Sequence, residues 1–229
     1  MLEVTKKELD ILPQWARVAF SVRCAQRVSG FYAKCLREPS ERDCEAISSS
    51  VRLISRGAGR AYVDDADCEQ LTSDVMSASR RAMLDPNYVD GVHHNPLILT
   101  AQFVCYVLVK ALQSTEDRDG YASAQAAHGT LEVVQEFNYG DGFLASRVAS
   151  TQRYDFLMLK RLAEIHGWDD NSPVPPEICG RFWPQGVPEK WPLDDYDAAG
   201  RKSGDFVDLT FDIPPDVDDE TISRRSDFS

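Results

Sequence analysis

Signatures of catalysis and of metal binding are missing from this chain. It has no CxxC, no HExxH, no GxSxG and no Walker-type phosphate loop, which removes the commonest routes to zinc, acyl-transfer and nucleotide chemistry. Arg56-Gly57-Ala58-Gly59-Arg60 carries two glycines but follows no strand, so it reads as a helix C-terminus. Nothing approaches the roughly 18 apolar residues of a membrane span. The nearest run, Leu97 to Leu112, is interrupted by Thr100, Gln102 and Lys110. No apolar signal-peptide core follows Lys6 and Lys7. A cytoplasmic protein with no membrane partner and no cofactor is expected.

Positive charge is also in short supply. The 229 residues carry a net charge of −12, which argues against nucleic acid as a main partner, because that binding rests on Lys and Arg neutralising phosphates. The imbalance is local. Asp194 to Ser229 holds 11 acidic and four basic residues, leaving −5 for the 193 residues before it. The six cysteines Cys24, Cys35, Cys44, Cys68, Cys105 and Cys179 fall mostly inside apolar helical patterns, where cysteine acts as a small buried hydrophobe.

What is present is helical periodicity. Leu12-Pro13 opens a helix in which Trp15, Val18, Ala19, Val22, Ala25, Val28 and Tyr32 recur at helical spacing. A second begins near Ser40, carries Ile47, Val51 and Ile54, and should fray at Gly57 or Gly59. A third begins near Asp65, carries Leu71, Val75 and Ala78, and stops at Asp85-Pro86. Asn95-Pro96, a capping side chain with proline behind it, starts a fourth that runs to about Gln113 and is apolar nearly all round. A fifth spans about Tyr121 to Phe137, with Gly129 leaving room for a neighbour, and a sixth about Ser150 to His166. The fold class is therefore all-α, a bundle of about six helices over residues 1–168. A Trp/Pro-rich extended arm at 169–193 is expected to lie on that domain through Trp183 and Trp191. Residues 194–229 read as an acidic, largely disordered tail. Within it Val207, Leu209, Phe211 and Ile213 alternate with polar residues as in one short strand.

Candidate site residues are few. Thr115 to Ala126 fails as a calcium loop, because Ala126 stands where a carboxylate is needed. Asp90, His93 and His94 form a polar cluster before the Asn95 cap, the one place a metal-dependent enzyme could centre. Adjacent histidines point apart, so a surface or capping role is favoured. His128 is expected at a helix–helix contact. Arg52, Arg56 and Arg60 form a basic stripe, read either as a solvated face or as a docking surface for an acidic partner, the tail included. The strand at 207–213 is the other partner-binding candidate, able to pair with another chain or another copy.

Two stretches, Leu12 to Val28 and the Trp-Pro-x-Gly-x-Pro-x-x-Trp-Pro run of Trp183 to Pro192, resemble a group of uncharacterised bacterial proteins. These carry an LPxxARVAFAxRCA helix near the start and a WPxGxPxxWP arm near the end. The resemblance implies that the arm belongs to the domain, and it transfers no catalytic residue. The expectation is a protein-interaction role, as an accessory, adaptor or immunity-type protein of a bacterial system, rather than catalysis. The alternative is a small hydrolase or metal-dependent enzyme at Asp90, His93 and His94.

Overall fold

The computed structural model describes residues 3–60, 63–85, 95–117, 119–137, 142–166, 201–202 and 205–206. The arm at 169–193, with Trp183 and Trp191, and the segment Val207 to Ile213 lie outside the described residues, as does Cys179. The described chain is helical: α1 (Lys6–Leu9), α2 (Gln14–Val28), α3 (Phe31–Cys35), α4 (Glu41–Arg60), α5 (Asp65–Ala82), α6 (Pro96–Gln113), α7 (Tyr121–Phe137) and α8 (Gly142–His166). A minimal antiparallel ladder joins β1 (Arg201–Lys202) to β2 (Asp205–Phe206), with Arg201 opposite Phe206.

At the middle sit α2 and α6. Every residue of α2 after Gln14 is buried, and α4, α6, α7 and α8 pack around it. By length and composition α6 is apolar enough to cross a membrane, despite the polar interruptions at Thr100, Gln102 and Lys110. In this fold α7, α5 and α3 close over much of it. Its Thr100 is accommodated by returning its hydroxyl proton to the Pro96 carbonyl at 2.7 Å. Asn95 caps the helix by accepting from the Leu97 N–H at 3.0 Å.

Several boundaries differ from expectation, each for a local reason. The first long helix stops at Val28. Ser29 and Gly30 turn the chain, glycine being a poor helix former, and the single turn of α3 sets Phe31 edge-on to Phe137, ring centroids 4.4 Å apart. Pro13 is the N-cap of α2 rather than its first helical residue. Helix α4 does not fray at Gly57 or Gly59 but continues to Arg60, with Ile54 and Ala58 buried. Helix α8 begins at Gly142, ahead of the expected start near Ser150. The Ser150 hydroxyl donates to the Ser146 carbonyl within the helix at 3.0 Å.

Asp117, Asp119 and Gly120 form the entry to α7. Asp119 accepts from the Tyr121 N–H at 3.0 Å and Asp117 from the Ala122 N–H at 2.8 Å. Gly120 donates its N–H to Asp10 at 2.8 Å, docking this loop on the end of α1. The approach is too close for a side chain: a β-carbon on Gly120 would lie 2.7 Å from Leu9 Cβ and 3.0 Å from the Asp10 backbone nitrogen. At Gly129 it would meet Val107 Cγ2 at 2.9 Å, so glycine is what lets α7 lie against α6.

Gly120→Ala should therefore destabilise the fold by about 1–3 kcal/mol, the usual cost of forcing atoms into a packed contact. For a chain of this size that corresponds to a fall of several degrees in Tm at about 2–4 °C per kcal/mol. Circular dichroism melts check this, and an unchanged Tm would show that α1 and the α7 entry are not in contact.

Candidate functional site

A buried cluster of charged groups lies between α2 and α8. Arg27 pairs with Asp155, and Arg23 Nε stands 3.6 Å from the other oxygen of the same carboxylate. All three are buried. One turn away the Gln152 amide donates to the Ala127 carbonyl of α7 at 3.0 Å and lies 3.7 Å from Cys24 Sγ. Burial lowers the Arg23 guanidinium to about 10, against the help of Asp155. This cluster joins three helices, and its groups are closed to solvent.

A second cluster joins α3, α4 and α5 at an open cleft of about 350 Å³. Asp43, near the start of α4, is buried and faces Arg81, whose Nε lies 3.0 Å from both its oxygens. The Tyr32 hydroxyl sits 3.3 Å from Asp43 Oδ2 and 3.1 Å from the Ala78 carbonyl, and donates to one at a time. Burial raises the Tyr32 phenol above its ordinary range, with Cys105 and Asp43 acting the same way. Across the cleft Asp85 accepts from the Arg37 N–H at 3.0 Å. These carboxylates serve as acceptors for the fold, and Tyr32 is held as a donor to Asp43 and the Ala78 carbonyl. Among the described residues no group of three or more His, Cys, Asp or Glu is placed to hold a metal ion.

The third feature is a surface. Helix α5 packs on α6 and α4 with Cys68, Val75, Ala78 and Ala82 buried, and its opposite side is exposed. There Ala66, Glu69, Ser73, Met76 and Arg80 are exposed, and Met83 continues the row at the C-cap. A groove of about 380 Å³ runs along this side, walled by Gln113 and Glu116 from the end of α6. Met76 is 45% exposed, Met83 47% and Leu84 81%, a concentration of apolar surface around one helix. Asp64 fixes the start of α5 by accepting from the Ala66 N–H at 2.9 Å.

The residues singled out from sequence fare unevenly. Arg52 is half-buried and turned along its own helix, bonded to Glu45 and, at 2.8 Å, to the Ser49 hydroxyl. The backbone of Arg56 and Arg60 continues α4, and their side chains lie outside the described residues. So do Asp90, His93 and His94, and Val207, Leu209, Phe211 and Ile213. His128 is not at a helix–helix contact. It is exposed and 3.5 Å from Glu132 one turn on, because the close contact of α7 with α6 is made by Gly129 on a neighbouring face. Sequence reasoning missed both buried ion clusters. Arg23 and Arg27, four apart in an otherwise apolar helix, were the available signal for one. The α5 row had none, since methionine at helical spacing ordinarily reads as core.

Four of the five described cysteines are buried and Cys44 is half-buried, and none forms a disulfide with another. Burial pushes the thiols of Cys24, Cys35 and Cys105 up to about 12 from an ordinary 9.0. Above pH 9 the unfolded chain releases thiol protons that the folded chain keeps, so stability should fall as pH rises from about 9 towards 12. Arg23, lowered from 12.5 to about 10, acts in the opposite sense as pH rises towards and through 10. Tyr32, Cys44 and Cys68, also raised, act in the same sense as the three thiols. Between pH 9 and 10 the share of the three thiols is therefore the difference in slope between wild type and a variant that lacks them. That share should approach about 1.4 kcal/mol per pH unit for each buried thiol. Urea melts at stepped pH measure it. The combined Cys24→Ala, Cys35→Ala and Cys105→Ala variant should be markedly flatter, and an identical slope would show that the thiols do not cause it.

Comparison with protein-family models, with curated proteins and with solved structures gives no match to this chain.

Proposed function

We propose that the chain is a protein-interaction module, of accessory, adaptor or immunity type, whose docking face is the outer side of α5. The observation that carries this reading is the row of exposed residues on that side, with Met76 at a groove that Glu69, Ser73 and Arg80 also line and Met83 left in solvent beyond it. Exposed apolar groups gathered on one face are the usual mark of a partner site, whereas scattered ones are not. A helix lying against such a face is a common recognition mode, its anchors recurring at i, i+3, i+4 and i+7. The buried ion clusters, by contrast, are engaged in holding helices together. The acidic balance and the lack of a phosphate-binding loop favour a protein partner, met in the cytoplasm, over nucleic acid. The stripe at Arg52, Arg56 and Arg60 and the segment Val207 to Ile213 remain further candidate contacts.

The second reading is a small hydrolase or metal-dependent enzyme centred on Asp90, His93 and His94. Stoichiometric zinc, iron or manganese in the purified protein would be its signature.

A photo-crosslinking residue introduced at Ser73 tests the interaction reading in the producing cells, with the exposed Glu164 of α8 as control position. The expected result is a discrete adduct from Ser73 that is lost when Met76→Glu is added, and none from Glu164. No adduct at Ser73, or one that Met76→Glu leaves intact, would remove α5 as the docking face.

A further inference from the structure

We infer that the occupant of the α5 face is a second copy of this chain, its own α5 lying antiparallel across a two-fold axis. This deepens the docking reading above and rests on it. The exposed row Ala66, Glu69, Ser73, Met76, Arg80 and Met83 has successive spacings of three, four, three, four and three residues. That alternation is the seam of two helices packed at a shallow angle, where positions recur every 3.5 residues. The order of the spacings is the same read from either end, so the row is its own antiparallel partner.

The chemistry of the opposed pairs matches as well as their spacing. In the two-fold arrangement Glu69 faces the partner's Arg80, and Arg80 faces the partner's Glu69. Ser73 faces the partner's Met76, and Ala66 faces the partner's Met83. Opposite charges meet twice, and each methionine meets a small residue that leaves room for it. Neither Glu69 nor Arg80 takes part in an ion pair among the described residues. Both are exposed, as are Ala66 and Ser73. An isologous contact of this kind requires one patch to be complementary to itself. A parallel pairing would set Glu69 against glutamate and Arg80 against arginine, and the antiparallel one avoids this. The Thr72 and Ser77 positions beside the seam also exchange under the same two-fold operation and keep its flank small.

The contact is one helix long, so a concentration-dependent equilibrium between monomer and dimer is expected rather than a permanent dimer. Sedimentation velocity over a concentration series at low salt tests it on the full chain. The single variants Glu69→Arg and Arg80→Glu each place like charges opposite one another at two points. Each should weaken self-association about tenfold, from two modest surface pairs turned from attractive to repulsive. Mixing the two variants should restore dimer, because every opposed pair in the mixed species is again of opposite sign. Both positions are exposed, and circular dichroism will show that each variant is folded. A wild-type chain that stays monomeric throughout the series overturns the inference, as does self-association that neither variant weakens or that mixing fails to restore. The crosslink at Ser73 separates this from failure of the docking reading. An adduct of twice the chain's mass supports a second copy. An adduct to a different protein, with this chain monomeric, overturns the second copy and leaves α5 as the docking face. Absence of any adduct removes both.

Discussion

Enclosing the charge of Arg27 is the demand around which the helices are arranged. A guanidinium with no exposed surface is tolerated only when hydrogen-bonded and paired, because leaving water costs several kcal/mol per ion. Asp155 supplies the carboxylate from α8, and Arg23 shares it one turn up α2. Those two links fix the rotation of α2 about its own axis, and with it which apolar side chains meet α4, α6 and α7. Pairs of this kind add little net stability over apolar packing, but breaking one from a single side typically costs about 3–5 kcal/mol. The cluster is therefore better understood as a device for registering α8 on the core than as a store of stability.

The same logic recurs at Asp43, which draws Arg81 of α5 and Tyr32 of α3 to the start of α4. It pins the C-terminal half of α5 while the helix's inner residues Val75, Ala78 and Ala82 sit on the core. Held from that side, α5 presents its opposite side outward as a rigid row. A rigid helix face loses little conformational entropy when a partner binds, which is what allows a contact of modest area to be specific. Thus the buried carboxylate and the exposed methionines are two sides of one arrangement: the first sets the angle at which the second is displayed.

Much of the helical layout was legible because local chemistry decides it. Asn95-Pro96 dictated the start of α6, and the stripes of α5 and α7 placed those helices to within a few residues, whereas α2 ended short of Tyr32 and α4 ran past its glycines. The failures share a cause. Ser150 has the chemistry of a cap, yet α8 runs through it from Gly142 because Ala145, Val148 and Ala149 bury against the core. Gly57 and Gly59 would break an isolated helix, and the burial of Ala58 carries α4 across them. In each case tertiary packing outweighed a preference of about 1 kcal/mol or less. His128 was misassigned because a helical wheel does not say which face the neighbour will choose.

The sequence alone determined the fold class, the acidity concentrated after Asp194, and the burial of cysteines placed within apolar helices. These are properties of composition and period, and they hold whatever the helices pack against. Only the tertiary structure decided which charges would be swallowed and which apolar residues would be left outside. Arg27 and Met76 stand at equally ordinary positions in their own helices, and each reverses its usual preference for water or core. The reason is that α2 is enclosed on all sides while α5 is backed on one. That difference belongs to the arrangement of the helices and is written in no single one of them.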